Sequence, residues 1–205
     1  TLKNLSAGVY HSRLNEIDSR FGWLFGGSAD YMGSEFNIIS TAGYLSSRFT
    51  LTDKIKLGLL ARVESNTVKD MLSSSFYGYE AGEFEHELTS TLFGGRLELS
   101  YALSDNLLYS ASASKGYKSQ GVNQSINIGQ VDDLPIELRD YGQEDAYNAE
   151  AGMRYEDEDK SISVSAFYMH RVNPQVRLSY QLNPSDPASF DFYTVNAESG
   201  RSYGI

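Results

Sequence analysis

Alternation between apolar and polar positions is the main pattern along this chain, and it predicts β-strands. After Thr52-Asp53-Lys54, every second residue is apolar over nine positions. Because successive side chains of a strand point to opposite faces, such a run gives one wholly apolar face. That face comprises Ile55, Leu57, Leu59, Ala61 and Val63. The runs at 149–155 and 162–168 repeat the pattern.

Short polar stretches join pairs of these runs. They are Thr52-Asp53-Lys54, Ser104-Asp105-Asn106 and the acidic stretch Glu156-Asp157-Glu158-Asp159. Turn-forming polar residues between two runs of period two are typical of β-hairpins. Each stretch is therefore predicted to be a tight turn between antiparallel strands.

The connections at the opposite end of the predicted strands are long and polar. They cover roughly residues 67–88, 119–144 and 179–189. An upstream pair of strands, about 2–12 and 21–31, follows the same scheme, with its turn near residues 15–19. Loops of this length are uncommon in compact soluble domains. Short turns on one rim and long loops on the other are typical of bacterial outer-membrane barrels.

We therefore predict an all-β fold, an antiparallel up-and-down meander of about nine strands that forms part of a transmembrane β-barrel. On the pattern alone, a soluble antiparallel sandwich with one wet face stays open as an alternative. No stretch approaches the roughly twenty apolar residues of a membrane helix. Because two unpaired sheet edges would expose backbone groups, we expect closure into a smaller barrel, pairing between chains or partial disorder in the long loops.

Composition and charge narrow the function. The 15 Tyr, 10 Phe and 18 Gly against 4 Pro suit a β-rich fold. The net charge of −10 argues against nucleic acid as a partner, because phosphate binding needs clustered Lys and Arg. The absence of cysteine excludes disulfides and thiol nucleophiles. His11, His86 and His170 match no catalytic signature, so neither enzyme activity nor a cofactor is expected.

Four stretches of the chain contain more specific sequence motifs. In chain order they are Leu51-Thr52-Asp53 running on to Gly58 and Arg62, then Gly116-Tyr117-Lys118-Ser119-Gln120-Gly121-Val122-Asn123, then Asn148-Ala149-Glu150-Ala151-Gly152 with Ala166-Phe167-Tyr168 and Gln175, and finally Val195-Asn196-Ala197-Glu198. In this order they resemble successive strands and turns in the barrel domain of TonB-dependent receptors. The second stretch is the most specific, because barrel strands of that family commonly end in Gly-Tyr/Phe-Lys/Arg-x-Gly-x-Asn. The resemblance covers roughly residues 39–205.

The resemblance implies that residues 1–205 are a single piece of a receptor barrel from the bacterial outer membrane. Nothing in the chain resembles the plug domain or the box that contacts TonB, and the chain stops at Ile205 without the usual terminal aromatic strand. The implied parent takes up a scarce nutrient such as a ferric siderophore, haem or cobalamin. Extracellular loops would bind the small ligand, and the plug domain and TonB complex would drive uptake. Membrane lipid would surround the wall.

Candidate functional residues fall into three sets. Aromatic residues near the predicted loops are candidates for ligand stacking: Phe76, Tyr77, Tyr79, Phe84 and Tyr141. An acidic stretch with one imidazole is a weak candidate for a cation site, although a solvated acidic loop is the simpler interpretation: Glu83, Glu85, His86 and Glu87. Charged residues opposite the apolar stripe are predicted to face the lumen: Arg62, Glu64, Arg96, Glu98, Glu150 and Arg154. Cross-strand pairing is an equally good role for this last set.

Two other functions compete with nutrient uptake. A soluble or surface-exposed β-sandwich for adhesion or carbohydrate binding would bury the apolar stripe against a partner sheet. A passive porin-like barrel would share the transmembrane wall but lack the plug. Detergent dependence tests the first alternative, and a plug sequence preceding Thr1 tests the second.

Overall fold

The computed structural model describes residues 1–21, 31–75, 82–123, 136–181, 185 and 190–205. Eight strands form one antiparallel sheet in the order β1-β2-β3-β4-β5-β8-β9-β12. Their bounds are β1 (Leu2–Phe21), β2 (Tyr31–Thr50), β3 (Ile55–Ser75), β4 (Gly82–Ser104), β5 (Leu107–Lys118), β8 (Glu144–Glu156), β9 (Ser161–Val172) and β12 (Ser199–Gly204). Neighbours in the sheet are mostly neighbours in sequence, so the predicted all-β meander is confirmed.

Four shorter strands and one helical turn occupy the connections at the end of the sheet opposite the tight turns. They are β6 (Gly121–Val122), α1 (Ile136–Arg139), β7 (Asp140–Tyr141), β10 (Gln175–Gln181) and β11 (Phe190–Asn196). β6 pairs with β7, and β10 pairs with β11. We call these five elements the loop-end cluster. Among the described residues, no helix is long and apolar enough to cross a membrane.

The three predicted tight turns are confirmed, and side chains hold two of them. In the first, the Thr52 hydroxyl accepts hydrogen bonds from the backbone N–H groups of Lys54 and Ile55, at 3.3 and 3.1 Å. In the third, the Asp157 carboxylate accepts from the N–H groups of Asp159 and Lys160, at 3.0 and 2.8 Å. Ser, Thr and Asp form such turns because their short side chains reach backbone two or three residues ahead.

The turn predicted at residues 15–19 is wrong. β1 runs without interruption from Leu2 to Phe21, and Asn15 and Ile17 pair with Asn37 and Glu35 of β2. The 67–88 loop is wrong for most of its length, because β3 continues to Ser75 and β4 begins at Gly82. In both places the strand continues where most residues are polar and the regular alternation of apolar and polar residues is lost, so the sequence pattern did not mark the end of the strand.

The main sheet has two unlike faces, which we call inner and outer. The inner face carries Arg62 and is partly covered by the loop-end cluster, since β6 contacts β3. The outer face carries an exposed apolar band near the tight turns. Its exposed members include Leu5, Val9, Leu45, Val63, Phe93, Leu97, Leu99, Ile162 and Val164.

On β3 the apolar band ends at Val63, and polar pairs follow on the outer face. Thr67 bonds to Thr89 at 3.0 Å, and Lys69 pairs with Glu87 at 2.5 Å. The upper parts of β3 and β4 therefore extend beyond the band, with polar side chains on the outside.

The best-buried apolar side chains lie on the inner face and under the loop-end cluster. They are Ala42, Val68, Leu92, Val122 and Tyr193. Tyr193 of β11 is 1% exposed. The core of the described chain is therefore small and sits at the loop end, where the connections pack back on the wall.

β1 and β12 are the two edges of the sheet. β1 pairs only with β2 and β12 only with β9 in the described part of the chain. In this part of the chain the sheet is open, so closure into a smaller barrel, one of the three expected outcomes, is not seen there, and both edges keep backbone groups that a further strand would satisfy.

Candidate functional site

The six charged residues predicted to face the lumen share the inner face. The register makes this plain, because Leu60 lies opposite Arg96 and Glu98 lies opposite Ser112, which in turn lies opposite Glu150. Whether this face lines a lumen stays a prediction. Arg96 pairs with Glu98 at 3.3 Å and Arg154 with Glu156 at 2.6 Å, both along a single strand rather than across strands.

Arg62 and Glu64 form a tighter cluster with Tyr117. The guanidinium of Arg62 donates to Glu64 at 2.8 Å and to the Tyr117 hydroxyl at 2.9 Å, and that hydroxyl donates to Glu64 at 2.8 Å. The guanidinium also lies 5.6 Å from the centre of the Tyr10 ring. The phenol of Tyr117 crosses β4 at Gly94, where a Cβ would lie 2.9 Å from its ring. Because Gly94 has no side chain, Tyr117 of β5 can cross β4 and contact Arg62 and Glu64 of β3.

The acidic stretch around His86 is strand rather than loop, which corrects the basis of the proposed cation site. Glu85 and Glu87 alternate with His86 along β4, and Glu87 pairs with Lys69. No group of three His, Asp or Glu residues that could hold a metal occurs in the described ranges. Glu83 and Phe84 belong to β4, with side chains outside the described set. Phe76, Tyr77 and Tyr79 also lie outside the described residues.

His86 instead belongs to a carboxylate–imidazole–carboxylate arrangement beyond the apolar band. It lies opposite Asp70 across β3 and β4, and its Nε2 lies 3.0 Å from the carboxylate of Asp140 in β7. Asp70 is 1% exposed. Burial raises the pKa of Asp70 to about 6, while the nearby His86 works in the opposite direction. This arrangement joins the loop-end cluster to the main sheet.

Glu144, the first residue of β8, makes a second set of contacts that fasten the loop-end cluster to the main sheet. We call each such set an anchor. It is 4% exposed and accepts two hydrogen bonds from Arg171, at 2.7 and 2.8 Å, and one from the backbone N–H of Gln175, at 2.9 Å. The Arg171 hydrogen bonds hold the pKa of Glu144 at about 2 against the opposite effect of burial, with help from Gln175 and Lys118. The carboxylate therefore stays charged and ties β8, β9 and β10 together.

Asn123 is the third anchor, and it explains part of the family motif. Its side-chain amide donates to the carbonyls of Leu138 and Thr194, at 3.0 and 2.8 Å, and accepts from the N–H of Thr194 at 2.8 Å. Its own N–H donates to the carbonyl of Arg139 at 2.9 Å. One side chain thus joins β11 to the turn that carries α1.

Tyr141, a predicted ligand contact, packs within the loop-end cluster. Its ring and hydroxyl occupy the space that a Cβ on Gly121 would need. Burial raises the pKa of the Tyr141 phenol. The Gly-x-Asn end of the motif is therefore structural: Gly121 admits the Tyr141 ring, and Asn123 fastens the neighbouring strand.

Sequence reasoning missed several residues of these anchors, among them Asp70, Asp140, Glu144 and Arg171. Asp70 carried a usable signal, because it has the same parity along β3 as Arg62 and Glu64. Asp140 carried none, since its position beside His86 depends on how a long connection folds back. Glu144 was recognised only as the start of a strand.

Comparison with known proteins supports this architecture. The family model described as "TonB dependent receptor-like, beta-barrel" matches residues 3–205. No curated protein sequence matches the chain. The structure resembles that of the ferric yersiniabactin uptake receptor FyuA from Yersinia pestis, with a TM-score of 0.63 and 19% identity over 88% of this chain and 29% of that one.

A second solved structure has the same fold. The ferric-catecholate import receptor Fiu from E. coli K12 aligns with a TM-score of 0.56 and 12% identity, over 98% of this chain and 35% of that receptor. The chain thus spans about a third of the length of these two proteins. Both likenesses bear on the fold, and the family model rests on the sequence. The family consists of transport receptors rather than enzymes, and the chain belongs to this family of TonB-dependent receptor β-barrels.

Proposed function

We propose that residues 1–205 form one continuous piece of the wall of a bacterial outer-membrane receptor that takes up a ferric chelate or a similar scarce nutrient. The observation that carries the proposal is the family match over residues 3–205. The two structural neighbours are a ferric yersiniabactin uptake receptor and a ferric-catecholate import receptor. They make an iron chelate the first substrate class to test.

The apolar band supports a membrane location. Ile55 to Val63 is eight strand steps, about 26 Å along the strand, or about 20 Å along the membrane normal for a tilt near 40°. This is close to the outward apolar band of outer-membrane barrels, which is about 25 Å tall. The residues of the band are exposed, so no second sheet of the described part of the chain covers them. A soluble sandwich would require such a cover.

The inner face supports a plugged, water-accessible interior. Arg62, Glu64 and Glu150 would be costly on a lipid-facing surface, and a polar interior is usual for barrels of this kind. Edge strands β1 and β12 would continue into further strands of the parent barrel, which has about 22 strands in the largest plugged transporters. A plug domain inside the barrel and a TonB complex on the inner membrane are the implied partners.

The loop-end cluster supports ligand capture on the extracellular side. It is fastened to the wall by Asn123, Glu144 and the Asp70–His86–Asp140 arrangement, so it presents a pre-organised surface rather than a free loop. On the β10–β11 hairpin, Arg177 lies 4.9 Å from the ring centre of Phe192, and half of the Phe192 side chain is exposed. A cation beside an exposed aromatic ring suits an anionic, aromatic chelate.

Uptake measurements test the proposal. The complete receptor would be expressed in a strain lacking its own ferric-chelate receptors, and a panel of radiolabelled ferric catecholates, ferric hydroxamates and haem would be supplied. The expected result is accumulation of one substrate class that disappears when TonB is deleted. Equal accumulation with and without TonB would favour the passive pore and contradict the proposal. No accumulation of any ferric chelate would exclude this substrate class.

A further inference from the structure

A groove of about 550 Å³ lies across β4, β5, β8 and β9, with Leu60 of β3 at one side, and most of its lining residues belong to the outer face. The register aligns Leu97, Ala113, Ala149 and Tyr168 in one row from β4 to β9. Only alanines stand on the two middle strands, while Leu97 and Tyr168 form the sides. Those two residues are three strand spacings apart, about 14 Å between backbones. The sheet therefore has a trough rather than a flat surface here.

The trough runs downward along β5 and β8 and then ends. In the next outer-face row Ala111 lies opposite Ala151, and in the row after that Tyr109 lies opposite Met153. From Ala113 to Tyr109 is four strand steps, about 13 Å along the strand. At a tilt near 40° this spans about 10 Å of depth, about a third of a hydrocarbon core about 30 Å thick. The trough is thus short enough to lie within one leaflet.

Basic residues lie across the upper end of the trough. The row above Ala113 contains Lys115, Tyr147, His170 and Arg201 in register across β5, β8, β9 and β12. Lys115 is held 5.8 Å from the Tyr147 ring centre and 3.0 Å from the carboxylate of Asp145. Arg201 is exposed and has no hydrogen bond or ion pair with any described residue. The charge that remains available on this row is positive.

We propose that this groove binds a phosphate-bearing membrane lipid, with one acyl chain in the alanine trough and the phosphate beside Lys115 and Arg201. The inference rests on the proposed outer-membrane location. The occupant must be apolar along about 13 Å, because the outer-face residues below the basic row are Leu97, alanines and tyrosines. It must be anionic at one end, because the trough ends at a basic row. A membrane lipid has this combination of an apolar chain and an anionic head.

Lipid retention by the purified receptor tests the proposal. The complete receptor would be washed in a neutral detergent, incubated with mixed micelles containing equal amounts of phosphatidylglycerol and phosphatidylcholine, and examined by native mass spectrometry. The expected result for the unmodified receptor is retention of phosphatidylglycerol at least fivefold above phosphatidylcholine. The readout does not involve transport, so failure here and failure of the uptake experiment are distinguishable.

Two pairs of substitutions test the site of the acyl chain and the site of the phosphate separately. Ala113→Leu with Ala149→Leu fills the trough and is expected to lower retention of both lipids about tenfold, whereas Ala7→Leu, outward on β1, should leave it unchanged. Lys115→Gln with Arg201→Gln should reduce phosphatidylglycerol to the level of phosphatidylcholine, whereas Lys160→Gln in a tight turn should not. Circular dichroism would verify that each variant folds.

Three results would overturn the proposal. The first is retention that neither pair of substitutions changes. The second is retention of both lipids to equal extent by the unmodified receptor. The third is a dimer in the mass spectrum that disappears with the Ala113 and Ala149 substitutions, because the groove would then be an interface between two copies of the chain.

Discussion

Glu144 and Arg171 meet through two parallel hydrogen bonds of 2.7 and 2.8 Å, and this pair joins β8 to β9 where the loop-end cluster begins. The carboxylate is almost fully buried, whereas the guanidinium side chain is 36% exposed. Bidentate pairs of this kind fix orientation as well as adding energy. They therefore suit a position where a connection has to be held at a defined place on the wall.

Glu144→Gln should lower the stability of the receptor by about 2 kcal/mol, because hydrogen bonds to a charged partner are lost in a buried place. The matched control is Glu156→Gln, whose partner Arg154 is exposed and whose effect should be under about 1 kcal/mol. Urea unfolding of the purified receptor, followed by tryptophan fluorescence, measures both. Equal effects of the two substitutions would contradict the anchoring role of Glu144.

The same carboxylate predicts a loss of stability in acid. Its folded-state pKa of about 2 lies below the ordinary value of 4.5, so its contribution is fully present above pH 4.5 and disappears as the pH falls towards 2. In the Glu144→Gln variant, melting temperatures measured between pH 6 and pH 2.5 should fall less steeply than in the unmodified receptor. Parallel curves for the two proteins would argue against a charged, anchored Glu144.

Asp70 predicts the opposite pH dependence. Burial raises its pKa from 3.8 to about 6, so the folded state favours the protonated form, and the stability that this gives is present below pH 3.8 and lost as the pH rises through 6. Asp70→Asn should remove this dependence and raise the melting temperature at pH 7. Asp53→Asn, in an exposed turn, is the control. A lower melting temperature for Asp70→Asn at pH 7 would show that the charged carboxylate stabilises the fold.

Gly121→Ala should loosen the loop-end cluster, because the new methyl group would meet the ring of Tyr141. Overpacking of this kind typically costs about 1–3 kcal/mol. Hydrogen exchange at the N–H of Asn123, which bonds to the Arg139 carbonyl, should become faster. Adding Tyr141→Ala should relieve the clash and partly restore protection. If the double variant exchanges faster than Gly121→Ala alone, the clash is not the cause.

Arg177→Ala should weaken binding of the ferric chelate that the uptake panel identifies by roughly tenfold, if the proposed capture surface is correct. The reason is loss of a cation beside the exposed Phe192 ring. Phe192→Ala should act in the same direction, while Lys160→Ala at the opposite rim should have no effect. Fluorescence quenching titrations give the dissociation constants. Unchanged affinity in both Arg177→Ala and Phe192→Ala would show that the chelate does not bind at β10 and β11.

Much of the wall was predictable from the sequence, because local chemistry determines it. The Thr52 and Asp157 turns use side chains that reach backbone only a few residues away. The strict alternation from Ile55 to Val63 assigned the two faces of β3 correctly. The inner-face position of Arg62, Glu64 and Glu150 followed from the same parity.

The lengths of the strands could not be predicted in this way. Residues 15–19 and 67–75 are mostly polar, and their few apolar residues, such as Ile17 and Val68, do not form a regular alternation that would predict a strand. These segments stay extended because a neighbouring strand satisfies their backbone, as when Asn15 pairs with Asn37. The neighbour, and not the local composition, decides where β1 and β3 end.

The sequence by itself determined the fold class, the tight turns, the two faces and, through its motifs, the family. Only the tertiary structure brought Asp140 beside His86, fastened Asn123 to Thr194 and buried Glu144 against Arg171. The physical reason is the separation along the sequence over which each kind of interaction acts. Alternation and turn chemistry act between residues a few positions apart, whereas these anchors join residues 27 to 71 positions apart that meet only after the connections fold back onto the wall.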